Sequence, residues 1–206
     1  MNNAQAQEAL DKDEVLIDGI IVKENVIIKD DSEIIVAGKI ARAKTEFIYI
    51  KLYKPAGYES TLGVKVPDNL LEFFKDYKGL SIAGRLDKAS EGLLLLSNDG
   101  KWVENITNPK FEKEKEYQVL LDKAPNDEFV TLFEKGVNIG YHVTKPCVCK
   151  ILKDNWINVV LKEGKNRQIR KMCKTLGYNV LTLKRTRIDG FKLDKLNAGN
   201  LELTKI

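Results

Sequence analysis

Residues 80–97, which read LSIAGRLDKASEGLLLLS, decide how this chain folds. Short apolar runs bounded by Gly and Ser predict two buried strands, at 80–83 and 93–97. The turn between these strands carries Asp87 with a basic residue on each side. Flanking cations keep a carboxylate ionised, which suits either a nucleophile or a structural ion pair. From the turn alone, the ion pair is the more common explanation.

Apolar periodicity outside this stretch predicts alternating strands and helices. Strands are predicted at 47–53, 116–121, 143–152, 156–161 and 179–187, and helices at 67–77, 99–108, 127–135 and 167–176. Strand pairs interrupted by helices indicate the α+β class, with a mostly antiparallel sheet and helices flanking it.

The first 44 residues differ in pattern from the rest of the chain. A short helix at 5–10 is followed by short strands with polar breaks, at 15–22, 25–28 and 34–38. A segment of this size is too small to form a core of its own. We therefore predict two domains, residues 1–44 and residues 45–206.

Composition excludes several protein classes. The 206 residues contain no apolar run near the ~18 residues of a membrane span, and the polar first residues lack the pattern of a signal peptide. We therefore expect a cytoplasmic protein. Cys147, Cys149 and Cys173 are an odd number of cysteines, which without an export signal predicts reduced thiols. The single histidine, His142, excludes most zinc sites and catalysis by a histidine base, so no metal site is expected.

Positive charge is concentrated in one segment. Residues 162–187 hold nine basic residues and one acid, out of 34 basic and 30 acidic residues in the whole chain. The remainder therefore holds 25 basic and 29 acidic residues. A neutral-to-acidic body with one cationic surface is typical of a protein that binds a polyanion.

The predicted helix at 167–176 separates two kinds of side chain. Apolar residues lie on one side and basic residues on the other: Ile169, Met172, Cys173 and Leu176 against Arg167, Arg170, Lys171 and Lys174. A solvated basic face is common in helices. Four like charges at i+3 and i+4 repel one another, however, and an anionic partner would relieve that repulsion. We therefore favour a nucleic-acid or phosphate role for this face.

The predicted strand at 116–121 places Tyr117 on one face with Lys115 and Val119. A tyrosine there can stack on a base or move a proton, although strand tyrosines more often pack with the hydroxyl at the edge. Nucleotide-binding loops of the common kinds are absent from the sequence. Residues 164–166 lack the Gly-rich lead of a P-loop, and no Gly-x-Gly-x-x-Gly occurs.

Four motifs occur in a fixed order. They are Lys54-Pro55-x-Gly57, Gly84-Arg85-Leu86-Asp87-x-x-Ser90-x-Gly92-Leu93-Leu94, Lys115-x-Tyr117 and Glu163-Gly164-x-Asn166-Arg167-Gln168-Ile169-Arg170-Lys171-Met172. By these motifs, residues 47–204 resemble the pseudouridine synthases of the RsuA/RluB/RluE/RluF group. The resemblance implies an α+β catalytic domain with a long mixed sheet and a central cleft. It also implies isomerisation of uridine to pseudouridine in ribosomal RNA, without cofactor or metal.

The resemblance also assigns roles to single residues. Asp87 becomes the catalytic carboxylate, which attacks the uridine either at the ring or at the sugar carbon of the glycosidic bond. Tyr117 matches the tyrosine that stacks on the base and helps to remove the proton from carbon 5. Arg170 matches the basic residue that pairs with the carboxylate, so we expect a direct contact between Asp87 and Arg170. RNA binding is expected from Arg85, Lys88, Lys165, Arg167, Lys171 and Lys174.

The first segment resembles a partial, ribosomal-protein-type RNA-binding domain. Residues 11–40 are similar to the later half of that domain, and its first helices have no counterpart in the sequence. Two further departures from the group are a tail at 199–204 without the arginine often found before Leu-Thr, and Ser90 in place of the commoner threonine.

Hypotheses from two classes follow. The first is an enzyme that isomerises a uridine in ribosomal RNA, of the large subunit rather than the small, with transfer RNA as another target. The second is a noncatalytic RNA-binding or ribosome-assembly protein that uses the same basic helix. Its RNA affinity would fall steeply with salt, and no modified nucleotide would form. Ribosomal RNA is the expected partner, and a monomer is the default state.

Overall fold

The chain divides after Phe47 in the computed structural model, which describes residues 2–206. The first unit contains helix α1 (Asn3–Asp11) and strands β1 (Val15–Ile17), β2 (Ile20–Ile21), β3 (Ile34–Val36) and β4 (Lys39–Arg42). These strands form one antiparallel sheet in the order β2-β1-β3-β4. Two-residue turns with left-handed backbone join β1 to β2 and β3 to β4, at Asp18-Gly19 and Ala37-Gly38. The predicted strand at 25–28 is not formed.

The second unit, Ile48–Ile206, contains a nine-stranded sheet. Its strands are β5 (Tyr49–Lys54), β6 (Ser81–Ala83), β7 (Glu91–Ser97), β8 (Lys115–Leu121), β9 (Val148–Ile151), β10 (Trp156–Leu161), β11 (Val180–Ile188), β12 (Phe191–Lys192) and β13 (Leu201–Leu203). Its helices are α2 (Gly100–Thr107), α3 (Asp127–Lys135) and α4 (Gln168–Thr175), with short 3₁₀ helices at Leu71–Phe74 and Pro109–Phe111.

The sheet of the second unit is mixed. Its strands follow the order β13-β5-β7-β11-β8-β10-β9, with β6 paired to β7 and β12 paired to β11. Among the described strands only β7 and β11 run parallel, and all other pairs are antiparallel. The predicted α+β class and the mixed, mostly antiparallel sheet are therefore confirmed. The parallel pair joins the strand that follows Asp87 to the strand that follows α4.

Strand β7 explains why the apolar run after Asp87 is continuous. Successive side chains of a strand point to opposite faces, and both faces of β7 are covered. Leu94 and Leu96 belong to the main core. Leu93 and Leu95 belong to a second core, to which Ile106 of α2 contributes. Because β7 is buried on both faces, it holds the end of the Asp87 loop in a fixed position.

The predicted helix at 67–77 is wrong, because only Leu71–Phe74 forms a short 3₁₀ helix. Asn69 competes with helical hydrogen bonding. Its Oδ1 accepts from the Leu71 amide at 2.7 Å, and its Nδ2 donates to the Val66 carbonyl at 2.7 Å. Such local bonds offer the backbone an alternative to the helix.

The predicted strand at 143–152 is shorter than expected and comprises only Val148–Ile151. The first residues of the predicted segment bond to another part of the chain: the Thr144 amide donates to the Val137 carbonyl at 3.0 Å. Helices α2, α3 and α4 lie within one residue of their predicted bounds. In the part of the chain that the structure describes, every helix is too short or too polar to cross a lipid bilayer.

Candidate active site

Asp87 lies on the loop that joins β6 to β7, residues 84–90. The Ser90 amide donates to the Asp87 carbonyl at 2.9 Å and closes a turn. Ser60 holds Leu86, the residue before Asp87. Its Oγ accepts a hydrogen bond from the Leu86 amide at 3.0 Å and donates one to the Leu86 carbonyl at 2.7 Å. The Asp87 side chain stays partly exposed and lines a cleft.

Arg185 of β11 is buried against this loop although it carries a charge. It is 2% exposed. Its guanidinium donates to the carbonyl oxygens of Gly84 at 2.7 Å, Leu93 at 2.8 Å and Arg85 at 3.3 Å. A rigid fork of five N–H donors suits this task. Gly92 permits the close approach of the strands, because a Cβ there would lie 2.2 Å from the Arg185 carbonyl oxygen.

Lys54, the last residue of β5, is a second buried cation at the loop, and it is 0% exposed. Its Nζ donates to the carbonyl oxygens of Ser90 at 2.7 Å, Pro55 at 2.8 Å and Lys88 at 3.4 Å. Burial lowers the pKa of Lys54 to about 8, although the charge of Glu59 opposes the shift. Lys54 and Arg185 together hold the two sides of the Asp87 loop through its main chain.

Arg170 of α4 contacts the loop from a third element, but it does not contact Asp87. Its Nη2 donates to the Ala89 carbonyl at 3.0 Å, and its Nη1 donates to the Val180 carbonyl at 3.0 Å. The predicted direct contact is therefore wrong, because main-chain carbonyls occupy the guanidinium. Burial lowers the pKa of Arg170, and Arg167 adds to this effect, whereas the charge of Asp87 opposes both.

The cation beside Asp87 is Arg167. Its Nη1 lies 3.7 Å from Oδ2 of Asp87, and its side chain is 49% exposed. Arg167 caps the start of α4 in a left-handed conformation with φ of 52°. A long, half-exposed ion pair of this kind is weak. It leaves the carboxylate accessible to a ligand, because the Asp87 side chain is 31% exposed.

Buried polar side chains fix the turn before α4. Glu163 accepts from the Lys145 amide at 2.9 Å and from Nε2 of Gln168 at 2.8 Å. Oε1 of Gln168 accepts from the Lys165 amide at 2.9 Å. Because each of these groups is bonded to the next, Arg167 enters the cleft from a turn with a defined path.

The loop, the turn and strand β8 surround a cleft of about 720 Å³. Tyr117 of β8 lines it and is 8% exposed. Basic residues predominate among the charged groups of the lining: Arg85, Lys113, Lys115, Lys162, Lys165, Arg167 and Arg185 against Glu59, Asp87 and Glu163. A cleft with this balance attracts anions. Within residues 2–206, no group of three or more His, Cys, Asp or Glu side chains can hold a metal ion.

The structure separates the six residues predicted to bind RNA. Three line the cleft, namely Arg85, Lys165 and Arg167. Three do not line it, namely Lys88, Lys171 and Lys174. Lys88 forms an exposed ion pair with Asp68, with an N–O distance of 2.9 Å. The ammonium of Lys171 lies 4.7 Å from the centre of the Tyr141 ring.

The sequence pattern did not reveal that Lys54 and Arg185 are internal. For Arg185 a signal existed, since it follows Leu183 by two residues on β11, and residues at this spacing share a face. Leu183 and Arg185 are both buried. For Lys54 the motif identifies the residue, but nothing in the sequence indicates the burial of its side chain.

Comparison with known proteins shows what the chain is similar to. A family described as "RNA pseudouridylate synthase" matches residues 48–175. An "Uncharacterized RNA pseudouridine synthase" of Aquifex aeolicus (strain VF5) is 34% identical over 202 residues, which cover 95% of this chain and 83% of that protein. The "Ribosomal large subunit pseudouridine synthase B" of Bacillus subtilis (strain 168) is 31% identical over 212 residues, which cover 97% and 86%.

A solved structure extends this similarity to the fold. It is described as "Crystal structure of pseudouridylate synthase", and it matches with a TM-score of 0.72 and 32% identity, over 100% of this chain and 91% of that one. Other relatives are longer. The chain spans 55% of the length of "Dual-specificity RNA pseudouridine synthase RluF" of Salmonella typhi, to which it is 39% identical over 158 residues.

Proposed function

The chain belongs to the RNA pseudouridylate synthases, in the RsuA/RluB/RluF group, and from this premise we propose that it isomerises uridine to pseudouridine in ribosomal RNA. One observation carries the proposal. Asp87 lies in a basic cleft, 3.7 Å from Arg167, on a loop whose carbonyl groups accept hydrogen bonds from three other cations. A carboxylate that is accessible and held in place suits covalent or proton-transfer chemistry on a bound nucleotide.

The reaction moves the uracil from its N1 attachment to its C5 attachment. The N1–C1′ bond breaks, the uracil turns within the site, and a C5–C1′ bond forms. The hydrogen on C5 leaves as a proton and N1 gains one, so the reaction needs no oxidant or reductant. The base must leave the stack and be shielded from water while it is detached.

We assign the attack on the uridine, at the ring or at the sugar carbon, to Asp87. Arg167 is the cation beside it, with Nη1 at 3.7 Å from Oδ2. Arg170 then acts as a positioning residue, because it reaches the loop through the Ala89 carbonyl and not through the carboxylate. This assignment differs from the one that the sequence motifs imply, in which Arg170 pairs with Asp87 directly.

Tyr117 is assigned to the base. Its backbone is held between β10 and β11, where it lies opposite Val159 and Arg185. Tyr117 is buried and lines the cleft. This position suits stacking on a uracil and removal of the C5 proton.

The remaining contacts are assigned to RNA phosphates. Arg85, Lys88, Lys165, Arg167, Lys171 and Lys174 are the residues proposed to bind them. We also propose that residues 1–44 act as a partial RNA-binding domain, because residues 11–40 resemble the later half of such a domain. The state proposed for the protein is a monomer.

Mapping pseudouridines in total RNA from cells with and without the gene tests the proposed function. The expected result is the loss of one site in ribosomal RNA, and we propose the large subunit, as in the name of the Bacillus subtilis relative. A site lost from small-subunit or transfer RNA would keep the activity and change the substrate. The absence of any lost site would remove the proposal.

The Asp87→Asn variant tests the assignment of the carboxylate in vitro. We expect no product from this variant, with fold and RNA affinity close to wild type, because only the charge and one acceptor change. Asp76→Asn is the matched control, since Asp76 is exposed and does not line the cleft. Unchanged turnover of Asp87→Asn would end the assignment.

A further inference from the structure

Lys115 lies in the cleft and has no role in the function proposed above. It is the first residue of β8 and shares a face of that strand with Tyr117, two residues further on. Both residues line the cleft, and Lys115 is half-buried. The side chain therefore lies beside the tyrosine that is assigned to the uracil.

The charge of Lys115 is not neutralised within the protein. Its Nζ donates to the Lys113 carbonyl at 2.9 Å, and no carboxylate in the described residues forms an ion pair with it. The carboxylate of Asp189 is paired with Lys113 at 2.8 Å. Burial lowers the pKa of Lys115 and the charge of Arg185 lowers it further, whereas the charge of Asp189 opposes both. An ammonium has three N–H groups, so two remain for a ligand.

Partial burial of a cation that has no carboxylate partner costs free energy, and a ligand with negative charge would recover part of that cost. How deeply a basic side chain lies in the cleft determines which part of a bound nucleotide it can contact. Four other basic residues of the lining are exposed, namely Arg85, Lys162, Lys165 and Arg167. Exposed positions suit the phosphates of a strand that passes over the cleft. The half-buried position of Lys115 suits the base that enters the cleft.

We propose that Lys115 is a catalytic residue that donates an N–H to a carbonyl oxygen of the target uracil and stabilises the negative charge on the detached base. This inference rests on the proposed function. When the N1–C1′ bond breaks, its electron pair stays with the uracil, whose charge spreads over N1 and the carbonyl oxygens. When the C5–C1′ bond forms, C5 loses its proton, N1 is protonated, and the charge is removed. A fixed cation at a carbonyl oxygen lowers the energy of the charged stage more than that of the bound substrate.

The test compares Lys115→Met, Lys115→Arg and wild type on the RNA that the pseudouridine map identifies. Single-turnover rates report on the chemical step. Affinity as a function of salt is measured in an Asp87→Asn background, where no product forms. Lys150→Met is the matched control, because Lys150 is exposed on β9 and does not line the cleft. Thermal unfolding of each variant shows whether it is folded.

We expect Lys115→Met to lower the single-turnover rate by about 100-fold, as removal of one donor to a developing anion does. RNA affinity and its salt dependence should stay within about twofold of the background protein, and Lys115→Arg should recover part of the rate. Two results overturn the inference. One is a rate equal to that of Lys150→Met. The other is weaker binding with a salt slope smaller by about 1, which identifies a phosphate contact.

Failure of the proposed function is distinguishable from failure of this inference. If wild type forms no pseudouridine in any RNA, the proposed function fails, and a role for Lys115 in uracil chemistry fails with it. If wild type is active and Lys115→Met is equally active, only the inference fails. Should Lys115→Met be unfolded, the rate of Lys115→Gln, which keeps an N–H donor without charge, decides the same question: a wild-type rate rejects the role of the charge.

Discussion

Two sets of basic residues surround the same loop, and they differ in what their N–H groups contact. The rim cations are Arg85, Lys162, Lys165 and Arg167, which are exposed and line the cleft. The loop-holding cations are Lys54, Arg170 and Arg185, which donate to main-chain carbonyl oxygens. The rim cations are available to a polyanion. The loop-holding cations are occupied inside the protein.

The concentration of basic residues at 162–187 overstates the charge that is available at the surface. Among the nine basic residues of 162–187, Arg170 and Arg185 donate to carbonyl oxygens of their own chain. Arg187 is paired with Glu116 at 2.8 Å and Glu114 at 3.0 Å. Three of the nine basic residues are therefore occupied within the fold, and two of these three, Arg170 and Arg185, hold the loop that carries Asp87.

The largest expected effect comes from removing a loop-holding cation. Arg185→Met leaves three carbonyl oxygens without a donor in a buried site, which is expected to lower the free energy of unfolding by at least about 3 kcal/mol. Turnover should be lost as well, because the Asp87 loop is no longer held. Urea denaturation measures the first effect. Arg85→Met, at the rim, is the control and should change stability by less than about 0.5 kcal/mol; equal effects would remove the distinction.

Arg170 and Arg167 belong to the same segment, and we expect them to differ in their effect on stability. Arg170→Lys keeps the charge but loses the fork that bridges the Ala89 and Val180 carbonyls, so the free energy of unfolding should fall by about 1–3 kcal/mol. Arg167→Lys, at the half-exposed ion pair with Asp87, should change it by less than about 0.5 kcal/mol. Chemical denaturation of both variants is the measurement. A larger fall in the free energy of unfolding for Arg167→Lys than for Arg170→Lys would contradict the assignment of Arg170 as the residue that holds the loop.

Lys54 gives the comparison a pH dependence. Its pKa is about 8 in the folded protein and 10.5 in an unperturbed lysine. Between these values the unfolded chain holds a proton that the folded protein has released, so the free energy of unfolding rises with pH. Relative to Lys54→Met, wild type should gain up to about 1.4 kcal/mol per pH unit in this window and nothing below about pH 8. Denaturation of both proteins across the window measures the gain; a constant difference would contradict the prediction.

The smallest effect is expected at the rim. Lys165→Ala removes one exposed cation, so RNA affinity should fall less than about tenfold and the slope of log affinity against log salt should decrease by about 1. Stability should not change. Filter binding at several salt concentrations measures the slope, with Lys150→Ala as the control outside the cleft. A slope equal to the control would show that Lys165 does not reach a phosphate.

Local structure near the site was largely predictable. Helix α4 lies within one residue of its predicted bounds, because its apolar face repeats at helical spacing and Gly177 follows with φ of 82°. The prediction of a helix at 67–77 was wrong, because the side chain of Asn69 forms hydrogen bonds with the main chain that replace helical ones. Apolar spacing does not report such competition.

The fold class, the buried strand after Asp87, the two-sided helix α4 and the motif residues of the cleft could all be predicted from the amino-acid sequence. These features depend on neighbours a few positions apart, which periodicity records. Only the tertiary structure decided that Arg167 and not Arg170 lies beside Asp87, and that Arg185 is internal. The carbonyl partners of Arg185 lie 92 to 101 positions away in the chain. The parallel pairing of β7 with β11, which sets Arg185 opposite Gly92, brings them together.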